Sequence, residues 1–339
     1  MKDVAERAGV SLSTVSVVLS GSRRLAISDQ TRRSVLAIAK ELNYHPNAHA
    51  SNLAKRSSNL FGLVISEIAN PFFPEVIRSF ESAAGAQGFD MRLFNTEYDP
   101  ERSQRAVSTM ITSNVCGAAV FTSRFGRPLV AQLVKARIPT VLVRAGVVEP
   151  KVGAIQIDFG HGIRQAMEYL IALGHARFCA ITGPDEIPSA RLYAAAYMKI
   201  AKQLKMQNCP VFSCNYRHDG GMAAVRSIFQ TKDVPTAILC ANDLIALGAI
   251  SELERIGVSV PEDLSVVGFD DLVFAHLARP PLTTVAVPRN EIGSLAFHAL
   301  LKMQTSDTIE RHRVKPRLIV RGSTAAPPGS IGQATPAPN

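Results

Sequence analysis

From Leu60 onward the chain repeats one pattern, a run of four or five apolar residues followed by an amphipathic stretch. The apolar runs are Phe61–Ile65, Met91–Phe94, Gly117–Phe121, Thr140–Val143, Ala154–Ile157, Phe178–Ile181, Ala237–Cys240 and Ser265–Gly268. Between them lie stretches such as Pro74–Gln87, Glu101–Ser113, Ile163–Leu173, Ala190–Leu204 and Asp243–Ile256, whose apolar residues recur at helical spacing. A strand apolar on both faces must be covered on both faces, and helices in the crossovers supply that cover. The alternation predicts parallel α/β structure. About eight such strands predict two doubly wound lobes facing each other across a cleft.

The first 44 residues follow a different rule. They read as short helices: Asp3–Ala8, then Gly9 as a stop, then Leu12–Leu19 with Ser11 as its N-cap. A basic loop, Gly21–Ala26, leads to a third helix capped by Ser28, with Val35, Leu36, Ile38, Ala39 and Leu42 at helical spacing and Asn43 and Pro46 ending it. Gly9 permits the left-handed turn that joins the first two helices, and Ala5 is small enough for them to approach closely. Val4, Val15 and Val18 are expected to point inward, leaving Leu12, Ser13, Ser16 and Val17 on the opposite face. Residues 1–60 hold nine basic and four acidic side chains, more than half of the net charge of +9 in under a fifth of the chain. A helix-turn-helix with a basic surplus is built to lay its second helix in a DNA major groove, with Ser11, Leu12, Ser13, Thr14, Ser16 and Val17 near the base edges.

Other classes fit less well. The five cysteines form no C-x-x-C and no metal spacing, as expected for a reducing cytoplasm. No secretory pattern follows Met1 and no apolar run reaches the ~18 residues of a membrane span, so a soluble, cytoplasmic protein without membrane partners is expected. Gly160-His161-Gly162 hints at a dinucleotide loop, but Gln165 stands where a third glycine belongs. There is no P-loop, no G-x-S-x-G elbow and no His pair at metal spacing, and neither an enzyme nor a cofactor is expected. A general nucleoid-binding protein remains a second alternative; it predicts weak sequence preference.

The run from Lys2 to Ser16, then Val18-Leu19-Ser20-Gly21 and Leu42-Asn43-Tyr44-His45-Pro46-Asn47, resembles the head of the LacI/GalR family of bacterial transcription regulators. The likeness continues through Phe61-Gly62-Leu63-Val64, Asn70-Pro71-Phe72-Phe73, Leu173-Gly174-His175, Pro235-Thr236-Ala237, Ala241-Asn242-Asp243, Ser265 to Asp271 and Pro281-Leu282-Thr283-Thr284, covering about residues 2–322. The resemblance implies a helix-turn-helix head over 1–46 and a hinge helix and linker over 47–59. It implies a periplasmic-binding-protein-like body over 60–322, with lobe 1 at about 60–157 plus 286–313 and lobe 2 at about 158–285 plus 314–322. The tail, 323–339, is rich in Pro, Gly, Ala, Ser and Thr and is expected to stay disordered.

By the same resemblance, Asn47, Ala50 and Leu53 belong to a hinge that becomes helical on the operator, with Leu53 either wedging the minor groove or packing on its own head. Val17 stands where the family usually has Arg, so an operator with a different base preference at that position is expected. Asn70, Phe72, Asn242, Asp243 and Asp270 match effector-binding positions, although Asp243 can equally cap the helix that follows it. Phe159 replaces a usual Asn, and Tyr193 a usual Arg; the two rings can stack on a sugar or narrow the pocket, and Arg191 can substitute for the missing guanidinium. The implied mechanism is a repressor whose affinity for a near-palindromic double-stranded operator is modulated by a small ligand, a sugar or sugar derivative, bound between the lobes. Two-fold symmetry calls for a homodimer, with dimer versus tetramer left open; the tail has no leucine heptad.

Overall fold

The computed structural model describes residues 1–19, 27–44, 58–143, 150–306 and 308–329. The chain divides into two compact units, Met1–Asn59 and Leu60–Asn339.

The first unit contains α1 (Lys2–Ala8), α2 (Leu12–Leu19) and α3 (Asp29–Glu41). Gly9 stops α1 in the left-handed region, at φ 63° and ψ 32°. The Ser11 hydroxyl accepts from the Thr14 N–H at 3.1 Å, and the Ser28 hydroxyl from the Thr31 N–H at 3.2 Å, so both expected caps form. Val4, Ala5, Val15, Val18, Val35 and Ala39 make the core of this small bundle. Two residues depart from expectation: Leu36 is 48% and Leu42 37% exposed. Leu36 sits about a quarter-turn from the Val35/Ala39 stripe, and Leu42 lies past the end of α3. The segments 20–26 and 45–57, with Asn47, Ala50 and Leu53, lie outside the described residues.

The second unit is built on two six-stranded sheets. In the first lobe, β1 (Leu60–Ile65), β2 (Asp90–Asn95), β3 (Gly117–Phe121), β4 (Thr140–Val143), β5 (Gly153–Ile157) and β11 (Arg311–Val314) lie in the order β11-β5-β4-β3-β1-β2, all parallel. In the second, β6 (Phe178–Thr182), β7 (Val211–Ser213), β8 (Ala237–Cys240), β9 (Ser265–Asp270), β10 (Thr283–Ala286) and β12 (Arg317–Ile319) lie in the order β12-β10-β9-β8-β6-β7. Only the edge strand β12 runs antiparallel. The helices are α4 (Phe73–Ala86), α5 (Pro100–Thr112), α6 (Arg127–Lys135), α7 (Phe159–Ala172), α8 (Pro188–Gln203), α9 (His218–Ile228), α10 (Asp243–Arg255), α11 (Val273–Leu277) and α12 (Arg289–Thr305). The chain crosses between lobes three times: from β5 to α7, from β10 to α12 and from β11 to β12.

All eight expected strands form, and four more join them, for twelve among the described residues. Three of the additions, β7, β11 and β12, are edge strands, which need no two-sided apolar run. The fourth, β10, is central but opens with Thr283 and Thr284, both fully buried because their hydroxyls are hydrogen-bonded. Ala286 belongs to the second sheet and Val314 to the first, each one residue across the border expected from the sequence.

The expected disordered tail is wrong at its start. Ser323 is fully buried; its hydroxyl donates to Val266 O at 2.6 Å and accepts from Thr283 N at 2.8 Å. Ala325 O accepts from the Ser265 hydroxyl at 3.1 Å and lies 2.8 Å from Nε2 of buried His175. Small residues suit a segment laid tightly against a sheet, and composition alone does not separate that use from disorder. Residues 330–339 lie outside the described residues.

Candidate DNA-reading helix and interlobe cavity

On α2, Val15 and Val18 anchor the helix from below while Ser11, Leu12, Ser13 and Ser16 are exposed and Thr14 and Val17 half-buried. The Ser11 hydroxyl lies 2.7 Å from that of Ser13 and 2.9 Å from that of Thr14, which fixes the N-terminal turn. This face is short, uncharged and rimmed by one 48%-exposed leucine, Leu12. Such a surface suits hydrogen bonds and methyl contacts at base edges better than guanidinium–guanine pairing.

In the second unit the strand C-termini of both lobes meet at a cavity of about 150 Å³. Ser66, Phe121, Ser123, Val143 and Ile157 reach it from the ends of β1, β3, β4 and β5, and Tyr98 from the loop after β2. The second lobe contributes Ser189, Tyr216, Ala241, Asn242, Phe269 and Asp270. Both tyrosines stand at left-handed backbone positions, φ 57° for Tyr98 and 63° for Tyr216, and burial pushes both phenols above their ordinary range.

Five residues singled out from the sequence line this cavity: Asn70, Phe72, Phe159, Asn242 and Asp270. Two of them are tied to their own loops. The Asn70 carboxamide oxygen accepts from Phe72 N at 2.9 Å, which closes the turn presenting Phe72. Asn242 Oδ1 caps α10 by accepting from Ile245 N at 2.8 Å, while its Nδ2 donates to Tyr216 O at 3.0 Å. Asp270 differs: its backbone sits at φ 105°, and no hydrogen bond to its carboxyl forms among the described residues. Burial pushes that carboxyl well up, neighbouring Asp243 adds to the rise, and Arg289 opposes it.

Three other expected residues lie elsewhere. Asp243 is fully buried beneath the cavity, with Oδ2 accepting from Leu272 N at 2.6 Å and Oδ1 from the Thr284 hydroxyl at 2.5 Å. It neither lines the cavity nor caps α10, a role taken by Asn242 one residue earlier. Burial raises its carboxyl to about 7 against these two bonds. Gly268 makes the fit possible, since a β-carbon there would come within 2.2 Å of Asp243 Oδ1. Arg191 is exposed on α8 and donates to Asp185 O at 2.6 Å, so it does not replace a guanidinium in the cavity. Tyr193 is buried behind the wall, its hydroxyl donating to Cys240 O at 3.2 Å. Its ring meets Phe159 and Phe269 edge-on, at 6.0 and 5.6 Å between centroids. Of this cluster only Phe159 and Phe269 line the cavity.

Sequence reasoning passed over Ser66, Tyr98, Ser123, Ser189 and Tyr216. Ser66 directly follows a recognised strand and Ser123 lies two residues past another, so the strand-end rule applied to every strand finds them. Tyr98, Ser189 and Tyr216 arrive from loops or a helix start and carry no local signal.

The lobes also touch around the cavity. Arg217 pairs with Glu67 at 3.0 Å, Arg124 with Glu186 at 3.8 Å, and the hydroxyls of Ser123 and Ser189 lie 3.4 Å apart. Arg289, buried on α12, pairs with Glu75 on α4 at 3.0 Å and donates to the carbonyl oxygens of Asp270 and Asp271, both at 2.9 Å. On the outer surface α11 leaves Val273, Phe274 and Leu277 exposed side by side. Among the described residues no cluster of His, Cys, Asp or Glu is arranged to hold a metal, and no helix is long and apolar enough to cross a membrane.

Comparison with known proteins agrees with both units. Residues 1–47 match the model for bacterial regulatory proteins of the lacI family, and residues 167–324 match that for the periplasmic binding protein-like domain. The ribose operon repressor of Escherichia coli (strain K12) is 33% identical over 330 residues, covering 95% of this chain and 99% of the relative. The HTH-type transcriptional repressor CytR of the same strain is 32% identical over 334 residues, covering 97% of each. The crystal structure of the lac repressor dimer bound to operator and the anti-inducer ONPF superposes with a TM-score of 0.85 at 28% identity, over 96% of this chain and 98% of that one. A recognition-type helix on a valine core, a two-lobed body with a cavity at its strand ends, and similarity along almost the whole length place this chain in the LacI family of bacterial regulatory proteins.

Proposed function

We propose that this protein is a cytoplasmic, dimeric transcription repressor that reads a near-palindromic operator and changes its operator affinity when a small ligand fills the interlobe cavity. The observation that carries the reading is α2, with Val15 and Val18 locked inward and Leu12, Ser13, Ser16 and Val17 turned the other way. A helix held so firmly from one side presents the other as a fixed pattern, which base-edge reading requires. The similarity to the ribose operon repressor and CytR, and to the lac repressor dimer crystallised on its operator, supports the same reading. Residues 47–59 serve as the hinge, with Leu53 as a minor-groove wedge and Asn47 and Ala50 as further DNA-contacting positions. The exposed Val273, Phe274 and Leu277 of α11 offer an apolar surface of the kind that subunit contacts cover.

The effector is a single-ring sugar or sugar derivative. About 150 Å³ is space enough for a six-membered ring. Hydroxyls and amides at Ser66, Asn70, Ser123, Ser189 and Asn242 alternate with the rings of Phe72 and Phe159, matching polar edges and apolar faces of a pyranose or furanose. The protein is read as a binder and not an enzyme, because among the described residues the polar groups around the cavity are hydroxyls, amides and one carboxyl with no paired nucleophile and base. Ligand-driven movement of the lobes about three crossovers then alters subunit geometry, a coupling of the order of 1–3 kcal/mol.

Selection from a random duplex library followed by competition gel shifts at fixed salt tests the assignment. A repressor yields a near-palindrome bound roughly 10³-fold or more above bulk DNA. Uniform binding to all duplexes would replace it with a general DNA-coating role.

A further inference from the structure

The geometry points to an effector that carries a protonated amine on its single ring, with the ammonium group seated on the Asp270 carboxylate between the aromatic walls of the interlobe cavity. This rests on the reading of that cavity as the effector site.

The charges around the cavity do not balance. Three guanidinium groups stand near it, and each is already paired: Arg217 with Glu67 at 3.0 Å, Arg124 with Glu186 at 3.8 Å, and Arg289 with Glu75 at 3.0 Å. Arg289 further donates from both terminal nitrogens to the carbonyl oxygens of Asp270 and Asp271, so it is held at the backbone of Asp270 and does not line the cavity. Helix α8 delivers no cation either, because Arg191 turns outward to Asp185 O and Tyr193 hydrogen-bonds Cys240 O. No lysine, arginine or histidine lines the cavity among the described residues, and one carboxyl does.

That carboxyl is unmatched. Asp270 sits at φ 105°, a conformation that costs energy for a residue with a side chain, and its carboxyl oxygens meet no donor among the described residues. A half-buried carboxyl that faces the cavity and meets no donor is open to a cation brought in from outside. Phe159 and Phe269 form the adjoining wall, 5.7 Å apart and edge-on, with Tyr216 nearby on the same lobe. Aromatic faces beside a carboxylate attract an ammonium group and give nothing to an anion. A uronic acid or a sugar phosphate would bring a second negative charge next to Asp270 with no counter-charge on the lining residues described.

Calorimetric titration of the full chain with matched probes tests this. Glucose, galactose and mannose are each compared as the parent sugar, the 2-amino-2-deoxy sugar and the uronate, with cyclohexylamine against cyclohexanol as a pair lacking sugar hydroxyls. In the series that binds, the amine is expected to exceed the parent by about tenfold or more in affinity, and the uronate to show no binding. Asp270→Asn should bring amine and parent to within about twofold while the parent sugar still binds. A parent sugar as tight as its amine overturns the proposal and leaves the sugar reading standing. Binding of cyclohexylamine without any sugar upholds the charge assignment and removes the sugar reading. Uronate binding that disappears in Arg144→Ala would locate a counter-charge on Arg144, outside the described residues, and would also overturn the proposal. Absence of binding across all the probes defeats both readings.

Discussion

Asp243→Asn isolates the contribution of one buried carboxyl to the pH dependence of the body. Asp243 is fully buried, accepts from Leu272 N and the Thr284 hydroxyl, and has its carboxyl raised from 3.8 to about 7, chiefly by burial. In the unfolded chain the group ionises near its ordinary value, while in the fold it holds its proton for about three pH units more. Stability from this group is therefore fully present below pH ~4, declines as pH rises, and is lost once pH passes about 7. At ~1.4 kcal/mol per unit the full loss is roughly 4 kcal/mol, of which about 3 kcal/mol falls between pH 5 and 8. Asparagine keeps the shape and the Leu272 bond, turns the Thr284 bond around at a pH-independent cost, and cannot ionise. Urea unfolding of both proteins at pH 5 and pH 8 should show the variant gaining about 3 kcal/mol relative to the parent across that interval. All other titrating groups cancel in the difference. A stability difference that is the same at both pH values would refute the reasoning, since Asp243 would then carry no proton that folding retains.

Val17→Arg should install a guanine preference at one operator position, worth about 1–3 kcal/mol of discrimination in a random-library selection, whereas Val17→Ala should only flatten the existing preference there. Leu277→Glu, on the apolar surface of α11, should weaken self-association by roughly tenfold or more in sedimentation while leaving the folding of the body intact. Arg191→Ala should leave effector affinity unchanged within about twofold, because the side chain faces Asp185 and not the cavity. Ser28→Ala should lower the stability of the head by about 1 kcal/mol in thermal melts, through loss of the Thr31 cap.

The sequence made the interior strands legible because each is covered on both faces and so reads as unbroken apolar residues. Ala237–Cys240 and Gly117–Phe121 were found to the residue for that reason. The edge strand Arg311–Val314 alternates exposed and covered positions over four residues, too short for periodicity to register. In the head, Gly9, Ser11 and Ser28 are local signals, with backbone geometry and caps decided by neighbours within three residues. The cavity was legible only where it is made by strand ends carrying marked residues, as at Asn70, Asn242 and Asp270. Asp243 was misplaced because adjacency to Asn242 in sequence says nothing about direction: the first side chain turns into the core and the second toward the cleft. Tyr98 and Tyr216 depend on loops whose path is set by tertiary packing, and no spacing announces them.

The late strands β11 and β12 and the segment Ser323–Ala325 bear on how the polypeptide matures on the ribosome. The second lobe cannot finish its sheet until residues 317–319 emerge, and Val266 and Thr283 wait for Ser323. The first lobe, begun at residue 60, is no better placed, since α12 and β11 arrive after residue 288. Two lobes that look like separate halves therefore share one deadline. The head, complete by residue 44, acquires its structure while some 280 residues of its regulator are still being translated.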